Sequence, residues 1–196
     1  MMWRQRCRIF GRSRVEMPPL LRMIFYETKL SGVFRIGIES HADSRGFFAR
    51  YWCQQEFERK GLNPRLVQCS LSFNARKGTL RGLHYQAKPH PETKLVRCTK
   101  GAIYDVVVDL RSDSPTFKEW IGVALTDESR EMIYVAEGCA HGFLTLEDST
   151  EISYQMSEFY HPDLAKGVRW NDPAFQIEWP GEVRVISERD QAYPDF

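Results

Sequence analysis

From Met23 onward the chain alternates apolar and polar positions in short runs separated by Gly, Pro, Asn and Asp, and the 3.6-residue period of an amphipathic helix is almost absent. The runs predict strands over 32–38, 46–53, 66–72, 79–85, 94–99, 102–110, 120–125, 131–135, 141–146 and 151–156. One short polar helix is expected over 54–60, closed by Gly61-Leu-Asn-Pro, with a further turn near 162–164. Strands at this spacing, with no internal repeat or linker among them, put the chain in the all-β class as a single sandwich or barrel. Beyond Trp170 the segments Asn171-Asp-Pro, Trp179-Pro-Gly and Tyr193-Pro break regular structure, yet the aromatic and apolar residues between them favour burial. A tail of this kind is expected to wrap the body of the domain.

At 196 residues the chain is long enough to bury a core without disulfide or metal staples. Lys and Arg number 27 against 26 Asp and Glu, so no global field draws nucleic acid or a membrane surface, and any anion site must be local. No apolar run approaches the ~18 residues of a membrane span. The 5 cysteines are odd in number and form no C-x-x-C pair, and all but one are expected to pack as small hydrophobes in apolar runs, which suits a reducing, cytoplasmic compartment. Residues 1–22 differ in character: Arg4, Arg6, Arg8, Arg12, Arg14 and Arg22 face only Glu16, and Pro18-Pro19 breaks any helix. The expected division is a basic arm over 1–22, disordered or an over-long start with Met17 or Met23 as the true one, and a β domain over 23–196.

The stretch Gly78-Thr-Leu-Arg-Gly-Leu-His-Tyr-Gln carries Arg81 and His84 on a predicted strand, with Lys94 ten residues past the histidine. An imidazole titrates near neutrality and is the natural proton acceptor, although a lone strand histidine is more often a hydrogen-bonded core residue. His141, after the glycine-bearing turn Glu137-Gly-Cys-Ala, opens a second strand and can converge with His84 or simply orient neighbours. Tyr154 lies on an alternating strand, where its phenol can deliver a proton or be a half-buried packing residue. Arg45, Arg81 and Lys94 need counter-charges, which a surface carboxylate or a bound phosphate would supply. His84, His90, Glu92 and His141 include enough donors for a divalent ion, but their spacing is poor for one pocket, and no metal is expected.

Several ordered motifs carry a resemblance: Asp43-Ser-Arg-Gly-Phe-Phe, Leu80-Arg-Gly-Leu-His-Tyr-Gln, Lys94-Leu-Val-Arg, Asp105 to Arg111, Ser114-Pro-Thr-Phe, Glu137-Gly-Cys-Ala-His-Gly-Phe, Tyr160-His-Pro and Arg169-Trp-Asn-Asp-Pro. From about Met23 to Phe196 the chain resembles the dTDP-4-dehydrorhamnose 3,5-epimerase family, which acts on nucleotide-diphosphate 4-keto-6-deoxy sugars. The resemblance implies a cupin-like jelly-roll β-sandwich, a homodimer that shares strands between subunits, and chemistry without metal or organic cofactor. It implies His84 as general base, Asp190 as the carboxylate that orients it, Tyr154 as general acid and Lys94 beside the sugar carbonyl. Arg45 and Arg81 match ligands of the diphosphate, Gln68 and Tyr160 match positions near the nucleotide base, and His141 matches a second pocket histidine. The chain departs from the family at His41, Arg50 and Ser70, where Phe, Glu and Asn are usual around the base, and at Gln155, where Lys is common; the identity of the nucleotide stays open.

A ketone at C4 acidifies the C–H bonds at C3 and C5, and a pre-organised charge beside the carbonyl stabilises the enolate that forms. The expected activity is therefore epimerisation at C3, C5 or both. A single-centre epimerase or ketoisomerase, a non-catalytic sugar-binding cupin and a metal-dependent cupin oxygenase are the alternatives.

Overall fold

A computed structural model describes residues 21–196. The basic arm expected over 1–22 lies, up to residue 20, outside the described residues. In chain order the strands are β1 (Met23–Glu27), β2 (Phe34–Ile38), β3 (Ser40–Asp43), β4 (Gly46–Ala49), β5 (Gln68–Asn74), β6 (Leu80–Gln86), β7 (Lys94–Lys100), β8 (Ala102–Asp109), β9 (Trp120–Thr126), β10 (Met132–Val135), β11 (Cys139–Thr145), β12 (Thr150–Met156) and β13 (Ala165–Gly167). Helix α1 (Gln54–Arg59) follows β4, a 3-10 turn spans Pro162–Leu164, and α2 (Glu188–Gln191) lies in the tail.

Two antiparallel sheets face each other, one of six strands in the order β1-β2-β10-β7-β12-β5 and one of five in the order β13-β6-β11-β8-β9, while β3 and β4 form a separate hairpin. Strand alternation explains the core between them. Val96 and Cys98 of β7, Ile133 and Val135 of β10 and Ile152 of β12 point inward from the larger sheet, and meet Ile103, Val107, Leu125 and Phe143 from the smaller one. The outward positions are covered as well, which is why β8 reads as a mostly apolar run, interrupted by Asp105, rather than an alternating one. Its Val106 and Val108 pack with Leu83, Val168 and Phe175 beneath the C-terminal tail, as the aromatic content of that tail required. On the far side of the larger sheet, Leu95, Met132 and Tyr134 are covered by α1, whose Phe57 meets Phe25 and Tyr134 edge-on with centroids 5.5 and 5.7 Å apart. Burying that one phenyl ring contributes about 2–3 kcal/mol.

The structure departs from the sequence expectations where local pattern is weakest. The strand expected over 46–53 is shorter, with β4 ending at Ala49 and irregular chain over 50–53, and β3, where no strand was expected, pairs with it as a hairpin, because Asp43 Oδ1 accepts the Arg45 N–H at 2.8 Å and Gly46 takes φ +134°, which together turn the chain back. Strands β1 and β13 and helix α2 lie outside the elements expected from the sequence. β13 is three residues long and exists only through its pairing with His84–Gln86, a tertiary contact that no local pattern encodes. Cys98 and Cys139 are buried as expected, whereas Cys69 is exposed on the edge strand β5.

Candidate active site

A cavity of about 650 Å³ lies between the sheets and is lined from both of them. Arg81 and His84 come from β6 and His141 from β11, on the smaller sheet; Lys94 comes from β7 and Tyr154 from β12, on the larger. Residues 81 and 84 have opposite parity and on a regular strand would face opposite ways. The β6–β11 register shifts between the His141–His84 pair and the Phe143–Arg81 pair, so three steps on β6 answer two on β11 and both side chains reach the cavity. Two glycines permit the close approach. A Cβ on Gly82, whose φ is +123°, would lie 2.6 Å from Gly142 Cα, and one on Gly142 would lie 2.6 Å from the Arg81 carbonyl oxygen.

The tail closes the cavity. Arg184 and Val185 donate their N–H groups to the Gly78 carbonyl and Leu80 donates to the Val185 carbonyl, which fastens the tail alongside the start of β6. Ser187 then caps α2 by accepting the Asp190 N–H at 3.1 Å, and the helix turns the Asp190 carboxylate inward. Asp190 Oδ1 lies 2.7 Å from His84 Nε2, and its Oδ2 accepts the Gly82 N–H at 3.1 Å. Burial alone would raise the Asp190 carboxyl, but the hydrogen bond and charge of His84, with Gly82 and Ser187, outweigh it and hold the group below the usual carboxylate value. An ionised Asp190 accepts the Nε2–H and leaves Nδ1 as the proton-accepting nitrogen of His84.

A second histidine–carboxylate pair is fully enclosed, with His141 Nε2 2.8 Å from Asp105 Oδ2 and burial pushing the Asp105 carboxyl up against the opposing pull of His141. The His141 ring stands edge-on to Tyr154 with centroids 6.1 Å apart. Burial pushes the Tyr154 phenol far above its ordinary value, the Asp105 charge adds to the shift and Arg81 opposes it, so Tyr154 remains an O–H donor. Lys94 Nζ donates to the His84 carbonyl at 3.2 Å and pairs with Glu92 at 3.2 Å. Arg81 is steered by the buried Asn74, whose Oδ1 accepts from Nε at 2.7 Å and leaves the outer guanidinium nitrogens available to a ligand.

Seven of the nine site residues named from the sequence line this cavity: His84, Tyr154, Asp190, Lys94, Arg81, His141 and Tyr160. Gln68 stands at its margin, where its Oε1 accepts the Tyr160 N–H at 2.6 Å. Arg45 does not reach the cavity within one chain. It sits on the turn between β3 and β4 with its side chain 88% exposed and paired to Asp43. His90 also stands outside the cavity, so the set His84, His90, Glu92 and His141 is not gathered around one point. Asp105 opens a motif segment but was given no site role, and Asn74 and the pairing of Glu92 with Lys94 were not anticipated. Asp105 had a legible signal, an acid inside the apolar run Ala102–Asp109, since a carboxylate there needs a partner; Asn74 had none.

The family model for dTDP-4-dehydrorhamnose 3,5-epimerase matches residues 27–196. The dTDP-4-dehydrorhamnose 3,5-epimerase of Methanothermobacter thermautotrophicus is 44% identical over 170 residues, covering 85% of this chain and 91% of that protein. The dTDP-4-dehydrorhamnose 3-epimerase of Streptomyces niveus is 40% identical over 163 residues, covering 83% of this chain and 78% of its own. The crystal structure of the Bacillus anthracis dTDP-4-dehydrorhamnose 3,5-epimerase, with TDP and pyrophosphate bound, superposes with a TM-score of 0.86 at 39% identity, covering 89% of this chain and 100% of that one. Motifs, two-sheet architecture and these relatives agree over nearly the whole described domain, and the chain belongs to the dTDP-4-dehydrorhamnose 3,5-epimerase family.

Proposed function

We propose that the protein epimerises C3, C5 or both of a dTDP-linked 4-keto-6-deoxy sugar, with His84 as base, Tyr154 as acid, Lys94 as the enolate-stabilising cation and Asp190 as the residue that positions His84. The reading rests above all on one observation: the imidazole comes from the smaller sheet and the phenol and ammonium from the larger, with the cavity between. Inversion of a carbon centre needs a proton removed from one face and returned to the other, and a sugar ring between two sheets has one group on each side. His84 Nδ1 takes the proton, and the ionised Asp190 stabilises the imidazolium that results. Lys94 faces the growing charge on the carbonyl oxygen in a site where pre-organised charges act through low dielectric. Tyr154 returns a proton to the opposite face, and Arg81 faces the phenolate left behind. Arg81 with the tail residue Arg189 supplies positive charge to the diphosphate, whose binding energy positions the ring.

Arg45 joins this account through a second subunit. The β3–β4 hairpin is exposed along nearly its whole length, including Phe47 and Phe48, and Leu71 and Phe73 are exposed on β5. In a homodimer, the hairpin of one chain can cover apolar surface of the other and carry Arg45 to the partner's cavity. Arg45→Ala and His84→Ala dimers are then each inactive, while subunit exchange between them rebuilds about a quarter of the wild-type sites. No recovery on mixing would keep Arg45 within its own chain.

Asp190→Asn keeps an oxygen acceptor for the Gly82 N–H but removes the charge beside His84, so kcat is expected to fall about tenfold or more with little change in KM. Wild-type kcat in that variant removes Asp190 from the mechanism. The function itself is tested by offering a dTDP-linked 4-keto-6-deoxy sugar and its 4-hydroxy counterpart and reading the C3 and C5 configurations by NMR. The ketone is expected to be converted and the alcohol left alone, because only the ketone acidifies the neighbouring C–H bonds; conversion of neither by folded protein refutes the reading. Because the Streptomyces niveus relative is a 3-epimerase, the same spectra decide between one centre and two.

A further inference from the structure

Outside the cavity, the loop between β6 and β7 and the segment after β12 bring His90, His161 and Glu158 together, with one donor atom of each within 4.8 Å of the others. The two imidazoles are stacked, with centroids 4.2 Å apart and planes at 8°. We propose that these three residues bind a zinc-class divalent cation, at a site the epimerase chemistry does not use. Two imidazoles and a carboxylate are the donor set of borderline transition metals rather than of magnesium or calcium, and three protein ligands leave a fourth tetrahedral position for water. Metal–ligand bonds near 2.0–2.1 Å require donor atoms about 3.3 Å apart, and His90 is exposed, so rotation of its side chain can close the gap.

The ligands are held from behind by one buried side chain. Gln86, 3% exposed, donates through Nε2 to the His90 carbonyl at 2.6 Å and to the Phe159 carbonyl at 3.0 Å, while its Oε1 accepts the His161 N–H at 2.8 Å. A single amide therefore fixes the backbone of both histidine-bearing segments, the kind of support that orients metal ligands. Glu158 is oriented by its own backbone: its Oε1 accepts the Phe159 N–H at 2.9 Å. The competitor for its second oxygen, Arg65 at 3.3 Å, has a side chain 56% exposed and gives way at little cost. Tyr160 lies between Glu158 and His161, so the ion would clamp the segment that carries a cavity-lining residue.

The test uses full-length protein stripped with a chelator and titrated with Zn²⁺ alone by calorimetry. About one equivalent is expected at micromolar affinity or better, weakened about tenfold or more by His90→Ala, by His161→Ala and by Glu158→Gln. His41→Ala, which removes an exposed histidine elsewhere, should bind as wild type does. Because His90 is exposed, His90→Ala is expected to melt with the wild type in chelator, so its lost affinity reports the site and not the fold. Failure of the wild type to bind, or wild-type affinity in His90→Ala, overturns the proposal.

Discussion

His84→Ala is expected to abolish two signals at once, exchange of substrate protons with solvent and conversion of one sugar epimer to the other. Both depend on the same enolate, and in this cavity the other imidazole, that of His141, is already engaged by Asp105 and fully enclosed. Water cannot substitute, because a carbon acid beside a ketone gives up its proton slowly without an aligned acceptor. The loss should reach about 10⁴-fold, the upper end of what a positioned general base contributes. His84→Ala also leaves Asp190 without its imidazole partner, so the variant's melting temperature should be recorded beside its activity. Solvent exchange by folded His84→Ala at the wild-type rate would remove His84 as the base.

Tyr154→Phe should separate the two signals that His84→Ala removes together. The base, its carboxylate and Lys94 all remain, so the enolate still forms, and the imidazolium can return a proton from the face it left. Deuterium then enters with configuration retained, while inverted product falls by about 10²-fold for want of a donor on the other side. The substitution removes one hydroxyl from a side chain whose neighbours include His141 at 6.1 Å between ring centroids, and keeps the ring that packs there. Equal losses of exchange and inversion would mean that Tyr154 serves the first proton transfer or the structure of the cavity, and not the second transfer alone.

Much of this site was legible in the residues because its chemistry sits on strands whose alternation is clear. Tyr154 and Lys94 lie on β12 and β7, neighbouring strands of one sheet, where Tyr154 pairs with Val96 and Met156 with Lys94, so parity alone directs both side chains inward. Arg81 and His84 could be named as a pair but not placed as one, since the register shift on β6 depends on glycines at 82 and 142 approaching across two strands. Asp190 was identified through resemblance rather than local pattern. Its role needs the tail to run back over more than a hundred residues of chain, and only the Ser187 cap is encoded nearby. Arg45 marks the opposite limit, a motif residue whose side chain, 88% exposed on the turn between β3 and β4, does not reach the cavity of its own chain.

The central claim, that the chain inverts a sugar centre through an enolate, is tested most directly with wild-type protein and a dTDP-linked 4-keto-6-deoxy sugar in D₂O, followed by proton NMR. The account expects the C3 or C5 proton signal, or both, to disappear in step with the appearance of the inverted epimer, each inverted centre carrying deuterium. Inverted product that retains the substrate's own proton at that carbon, or a substrate whose C3 and C5 signals both persist beside folded protein, would contradict it.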